Sequence, residues 1–198
     1  MVKTQRCGWC GDDPLYVRYH DCEWGVPTRD RGELFELLML EGLQAGLSWI
    51  TVLRKRRHMR GAFFAFCPEL LVRMGDKDVV RLLADPGVIR HRGKIEALRT
   101  NAEQFLELDR DDSAVDFLWS FVDGATIVNR RRSLRHVPPS TSQSDAMSRA
   151  LKKKGFKFVG STICYAFMQA SGMVNDHVAT CFRYEECKEP GVERRTIA

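Results

Sequence analysis

Helical spacing dominates the pattern of apolar and polar positions along the chain. Leu34, Leu37, Leu38, Ala45 and Ser48 fall on one side of a helical wheel, predicting a helix from about Glu33 toward Gly46. Val79, Val80, Leu82 and Leu83 predict another, stopped by Asp85-Pro86-Gly87. Between Lys94 and Leu108, Ile95, Leu98, Ala102, Phe105 and Leu106 share a face. Phe117, Leu118, Phe121 and Val122 predict a short helix ahead of Asp123-Gly124. After the turn residues Pro138-Pro139-Ser140-Thr141-Ser142, Ser144 is a candidate N-cap for a helix from Asp145 to Lys154. Gly155 can end that helix in a left-handed conformation, and Gly160 lets the chain turn again. Ser161 or Thr162 can cap the next helix, which continues through Ile163, Ala166, Phe167 and Ala170 to Gly172. The alternation expected of strands is scarce and there are no internal repeats. The prediction is an all-α fold, one compact domain with its two termini brought together.

Composition narrows the class. A chain of 198 residues, 44% hydrophobic and 29% charged, suits a soluble globule that buries enough surface to need no disulfide framework. No apolar run nears the ~20 residues of a membrane span, and the best, Leu34 to Leu40, is interrupted by Glu36. Met1 to Arg6 lead into Cys7 without an apolar signal segment, so a cytoplasmic protein is expected. The net charge of +5 changes the picture because more than half of the lysines and arginines cluster. The clusters are Arg54-Lys55-Arg56-Arg57 with Arg60; Arg90, Arg92 and Lys94; Arg130-Arg131-Arg132 with Arg135; and Arg149, Lys152-Lys153-Lys154 and Lys157. Any one could be a solvated helix face; four together favour a phosphate backbone as partner. The turn from Lys154 to Thr162, between two helix patterns, would expose backbone N–H groups suited to a DNA phosphate, though a plain turn reads the same way.

Seven cysteines, an odd number, argue against a fully paired set. Cys67 and Cys164 sit among apolar residues, where a small buried hydrophobe is the default. Cys7, Cys10 and Cys22 accompany His20 near one end; His177, Cys181 and Cys187 lie near the other. His177 and Cys181, four apart, would share a helix face. With Cys7 and His20 they make a Cys₂His₂ set of the type zinc takes, and four protein ligands would make such a metal structural. Buried thiols and satisfied histidines are the alternative, and spacing does not exclude Cys10, Cys22 and Cys187 as rival ligands. Cys7-Gly8-Trp9-Cys10 is also a C-x-x-C, but it lacks the preceding strand of a redox motif. Glu41 falls on the apolar stripe of its helix, where a carboxylate must reach solvent or line a pocket. Trp49 follows it, and Trp9, Tyr16, Tyr19 and Trp24 crowd the N-terminal segment. Flat rings around one acceptor are what a site for an extruded base needs; a helix-edge Glu beside core aromatics is the plainer reading.

Together these residues resemble the bacterial 3-methyladenine DNA glycosylase I family. The resemblance rests on Arg6-Cys7-Gly8-Trp9, Asp13-Pro14-Leu15-Tyr16, Tyr19-His20-Asp21, Glu23 to Pro27, Glu41 to Leu53, Ile89 to Ile95, Gly155 to Tyr165 and Val174 to Val178. It spans nearly the whole chain, from Cys7 to Cys181. It implies a helix–hairpin–helix DNA glycosylase fold over residues 1–182, in which one structural Zn²⁺ on Cys7, His20, His177 and Cys181 joins the N- and C-terminal segments. It implies a base pocket of Trp9, Tyr16, Trp24, Glu41 and Trp49, with Glu41 as the key acid. Gly46-Leu47 corresponds to the turn that probes the gap left by the flipped base, and Gly155, Lys157 and Gly160 to the DNA-binding hairpin. Many helix–hairpin–helix glycosylases carry a catalytic Asp after the second helix; here Asn175 takes that place, and Asp176 is not assigned as the catalyst. Residues 183–198 lie outside the match and read as a charged, mobile tail.

The implied activity is base-excision repair: flipping 3-methyladenine out of double-stranded alkylated DNA and hydrolysing its N-glycosidic bond, with free base as product and the protein acting as a monomer without a membrane. Two other readings compete, a non-catalytic DNA-binding module and a thiol oxidoreductase using Cys7 and Cys10. A pocket with a buried carboxylate among rings argues against the first, and a chelator-sensitive fold would argue against the second.

Overall fold

The structure, a computed structural model, describes residues 4–111, 113–189 and 191–197, and is almost entirely helical. Asp13 caps α1 (Pro14–Cys22), accepting from the amides of Leu15 and Tyr16, and Pro14 supplies the φ a first helical turn wants. Asp30 caps α2 (Arg31–Gln44) through the amide of Glu33 at 2.8 Å. Helix α2 is the centre of the molecule: every residue from Leu34 to Leu43 is buried, including Glu36 and Glu41. It packs on α3 (Trp49–Ala62), on the 20-residue α6 (Arg92–Asp111), and on α9 (Ser161–Ala170). The short α4 (Pro68–Leu71) and α5 (Asp76–Ala84) close one side against α6, and α7 (Ala114–Trp119) follows it.

Helix α8 (Ser142–Lys153) begins earlier than its apolar pattern suggested. Its N-cap is Thr141, and Ser144 sits three residues inside, its hydroxyl accepting from the Thr141 amide at 2.9 Å. Helix α9 starts after Gly160, and neither Ser161 nor Thr162 caps it. Finally α10 (Phe182–Glu186) lies beside the N-terminal segment, where the Phe182 amide donates to the Gln5 carbonyl. The all-α architecture is broken among the described residues by a two-residue parallel ladder, β1 (Ile127–Val128) with β2 (Val174–Asn175), and an isolated bridge beyond it. Helices α1 and α3 showed no clear stripe in the sequence. In α3 the reason is physical: at an inward position of the row Trp49, Val52, Leu53, Met59 sits a buried arginine, Arg56.

Arg56 donates to Glu23 at 2.7 Å and to Glu36 at 2.8 Å, and Arg60 holds the same Glu36. Glu23 is fully buried and needs more than one cation, which corrects the reading of residues 183–198 as a free tail. Arg194 returns to the globule, pairs with Glu33 at 3.1 Å, and donates to the carbonyls of Glu23, Val26 and Ala170. The Ile197 amide bonds Glu23, Thr196 bonds Glu33, and the Ile197 side chain is buried in the core. Charge kept this segment out of the apolar pattern, yet the buried Glu23 and the half-buried Glu33 are what it docks on.

Candidate functional site

Two sites share the N-terminal segment. In the first, the Cys7 and Cys181 thiols and the His20 and His177 rings converge, every ligand atom within 4.8 Å of every other and all four residues buried. Cys7 Sγ lies 3.4 Å from His177 Nδ1, and Cys181 Sγ lies 3.4 Å from His20 Nε2 and 3.5 Å from His177 Nδ1. A tetrahedral zinc with its usual bond lengths would set sulfur and nitrogen roughly 3.6 Å apart, so the donor set fits. The outer nitrogens are fixed as metal ligands require. His177 Nε2 donates to the Trp24 carbonyl, leaving Nδ1 facing the cluster. His20 Nδ1 lies 2.7 Å from Asp21, itself clamped by Arg6 through both carboxylate oxygens. The Val178 amide donates to Cys7 Sγ. Gly25 makes the room: its backbone is left-handed (φ +80°), and a Cβ there would sit 2.7 Å from His177 Nε2. The paired thiols pull apart, Cys181 held low by hydrogen bonds from Cys7 and then from both histidines, Cys7 pushed up by Cys181 and by burial. A divalent cation would let both ionise.

Cys10, Cys22 and Cys187, the rival ligands, stay outside this cluster. The Cys10 thiol instead donates to the Cys7 carbonyl at 3.1 Å, so the C-x-x-C is divided between two roles. Cys164 is buried as expected, whereas Cys67 is only half-buried and bonds Glu69.

The second site is a cavity of about 290 Å³, near the small end of ligand pockets. Trp9, Tyr16, Tyr19, Trp24, Glu41 and Trp49 line it. Its rings contact edge-on or tilted: Trp9 meets Tyr16 and Trp24 with centroids 5.0 Å apart, and Tyr19 meets Trp49 at 5.4 Å. Glu41 comes from the middle of α2, only 3% exposed, and no described residue hydrogen-bonds its carboxylate. Burial pushes its pKa up to about 8. The indole N–H groups of Trp9 and Trp49 are likewise buried without a partner. Two buried indole donors and a carboxylate gathered on one cavity are the pattern a bound ligand would complete. The opposite wall was not anticipated. Asp176, Gln169, Leu134 and Val137 line it, and Asp176 is fully buried, accepting from Asn129, Arg131, Gln169 and Tyr165. Asn175 faces away, bracing the Tyr184 carbonyl and the His177 amide.

The model of the family described as methyladenine glycosylase matches residues 9–184. This chain belongs to the methyladenine glycosylase family. A DNA-3-methyladenine glycosylase 1 of Escherichia coli (strain K12) is 55% identical over 181 residues, covering 91% of this chain and 97% of the relative. A DNA-3-methyladenine glycosylase of Haemophilus influenzae is 49% identical, covering 90% of this chain and 97% of that one. The chain is also similar to a crystal structure of 3-methyladenine DNA glycosylase I, with TM-score 0.89 at 55% identity over 90% of this chain and 98% of the other. A Staphylococcus aureus 3-methyladenine DNA glycosylase I, solved to explain 3-methyladenine recognition, gives TM-score 0.86 at 33% identity over 96% and 98%.

Beyond the pocket, the family's expected DNA contacts fall on two turns. Gly46 and Leu47 form an exposed turn between α2 and α3, with Leu47 41% exposed. The buried Lys94 braces it from below, donating to the carbonyls of Leu43 at 2.8 Å and Ala45. The α8–α9 hairpin holds Gly155 (φ +95°), Lys157 and Gly160; Asn101 pins it by bonding both the amide and the carbonyl of Lys157. Gly160 has an ordinary φ of −65° and a Cβ there would meet nothing within 4 Å, so space for an approaching backbone, rather than turn geometry, is what it offers. Not every basic cluster is free. Arg54, Arg56 and Arg60 are tied to acids, Arg92 pairs with Glu96, and Lys94 is buried.

Proposed function

We infer that this chain is a DNA-3-methyladenine glycosylase acting on alkylated double-stranded DNA. One observation carries the reading: in a member of this family, a buried carboxylate with no partner of its own faces a base-sized cavity walled by rings. Methylation at N3 leaves adenine cationic. When the C1′–N9 bond breaks, its electron pair neutralises the base, while water bonds C1′ and gives its proton to solvent. The leaving group therefore needs little protonation, and the protein's work is selection and positioning. Trp49 supplies a stacking face, where a cationic ring gains from the π-face. Glu41, drawn to its ionised form by the positive base, accepts from the base edge; Tyr16 adds a polar contact, and Trp9 and Trp24 close the walls.

Docking falls to the helix–hairpin–helix formed by α8, residues 154–160 and α9. Gly155, Lys157 and Gly160 bring amides, a cation and open backbone to a phosphate, and Leu47 enters the stack beside Gly46. Cys7, His20, His177 and Cys181 hold a structural Zn²⁺ that clamps the two ends of a single domain. No described helix is long and apolar enough to cross a membrane; the protein works in the cytoplasm as a monomer. A pure DNA-binding module would have no use for the unmatched groups around Glu41. Release of free 3-methyladenine from methylated duplex by the purified chain tests the reading; no release from a folded, metal-replete protein would refute it.

A further inference from the structure

We propose that residues 129–137 form an arginine arm on the rim of the base pocket that grips the phosphates flanking the extruded nucleotide. The proposal rests on the glycosylase reading and extends its DNA contacts to a segment outside both the α8–α9 hairpin and the Leu47 turn. The arm starts where β1 ends and is tied down along its length. The Arg131 carbonyl accepts from the Ala179 amide at 2.8 Å, a further parallel bridge to Val178. Arg131 Nε and Asn129 Nδ2 both donate to the buried Asp176 at 2.9 Å. An extended backbone turns successive side chains to opposite faces, so with Arg131 held inward, Arg130 and Arg132 go outward. Both are exposed, as is Arg135.

The free charge is what points to a partner. Arg130, Arg132 and Arg135 have no acid within 4.0 Å and no hydrogen-bond acceptor among the described residues, and the arm itself contains no Asp or Glu. The basic run on α3 is the contrast, since three of its four arginines, Arg54, Arg56 and Arg60, are paired with Asp13, Glu23 and Glu36. Placement supplies the rest. Leu134, 39% exposed, and Val137 line the cavity that holds Glu41, and Gln44, two residues before Gly46, lines the same cavity. A strand delivering a base into this mouth passes both the Leu47 turn and the arm, bringing its phosphates to the three guanidinium groups. Such contacts position the strand and carry no base information.

The test uses the full-length, metal-replete protein with Arg130, Arg132 and Arg135 all changed to Gln, leaving Arg131 in place, and Arg132→Gln alone as a milder partner. Binding is read by anisotropy on a duplex with a tetrahydrofuran abasic site, across 50–200 mM salt, with and without neutral methylphosphonates flanking the lesion. Three lost contacts should lower the slope of log K against log salt by about 2.7, so the wild-type advantage shrinks roughly 40-fold across that range; Arg132→Gln should lower it by about 0.9. Flanking methylphosphonates should weaken the wild type and leave the triple variant nearly unaffected, a non-additive pair. Affinity for free 3-methyladenine should not change. An unchanged slope, or equal weakening by distant and flanking methylphosphonates, overturns the arm, as does an acidic peptide competing through these arginines more strongly than DNA. A wild type that releases no 3-methyladenine would instead refute the glycosylase reading, whatever the variants do.

Discussion

The cluster of Cys7, His20, His177 and Cys181 and the ring-walled pocket around Glu41 are built from the same stretches of chain, often from adjacent residues. Tyr19 lines the pocket while His20 joins the cluster; Asp176 lines the pocket while His177 joins the cluster. Trp24 serves both, its ring in the cavity and its carbonyl on His177. What differs is how completely the polar groups are matched. In the cluster each histidine has its outer nitrogen paired, Cys7 takes an amide, and Arg6 backs Asp21. In the pocket the two indole N–H groups, and the carboxylate of Glu41 beside them, have no hydrogen-bond partner among the described residues. A saturated polar cluster is a joint; an unsaturated one waits for a ligand.

The cluster should therefore fail structurally and the pocket chemically. The largest effect is expected at the joint. His177→Ala, or chelation, should remove stoichiometric metal and cost on the order of 4 kcal/mol, about 8–16 °C in melting temperature for a chain of this size. Elemental analysis and thermal unfolding check this; retained metal, or an unchanged melting temperature after chelation, would return Cys7 and Cys10 to the thiol-redox reading. In the pocket, Glu41→Gln exchanges one acceptor for a donor. The mismatch should cost ~1–3 kcal/mol, or about 5- to 150-fold, in excision from methylated DNA, while melting temperature and binding to undamaged duplex stay close to wild type.

The pH dependence sharpens the contrast. Burial favours the neutral acid, so the folded chain keeps a proton on Glu41 that the unfolded chain releases between about pH 4.5 and 8. The wild type should lose stability relative to Glu41→Gln as pH rises through that window. Excision should move the opposite way, rising with pH across the same window as the acceptor form becomes available, and staying flat in Glu41→Gln. Single-turnover rates and denaturant midpoints measured on the same samples would show the two slopes. The smallest effect belongs to the hairpin: Lys157→Ala should reduce the salt slope of binding by about 0.9 and weaken damaged and undamaged duplex alike.

Much of this contrast was legible in the sequence, and the gaps have physical causes. The long helices announced themselves through apolar spacing, as with Ile95, Leu98, Ala102 and Phe105 of α6, all buried. Glu41 stood out because a charge on an apolar stripe demands an explanation. Spacing named Cys7, His20, His177 and Cys181 but could not choose them over Cys10, Cys22 and Cys187; only the closure of the two ends does that. The second pocket wall was invisible. Asp176, Gln169 and Leu134 come from separate parts of the chain, and the hydrogen bonds that converge on Asp176 from Asn129, Arg131 and Tyr165 depend on the β1–β2 ladder. Arg194 was misjudged for a related reason, since a buried arginine looks like a solvated one until its acids, Glu23 and Glu33, are in place.

Calorimetric titration of free 3-methyladenine into wild type and Glu41→Gln, at equal metal content, tests most directly whether the unmatched carboxylate reads the base. Run at pH 7 in two buffers of different ionisation enthalpy, it reports affinity and proton release together. The wild type should bind with net release of protons, because the N–H donors on the edge of the neutral base pair with the ionised carboxylate rather than with the acid. Glu41→Gln should bind about 5- to 150-fold more weakly and release none. Equal affinities and equal proton counts on two folded proteins would contradict the account.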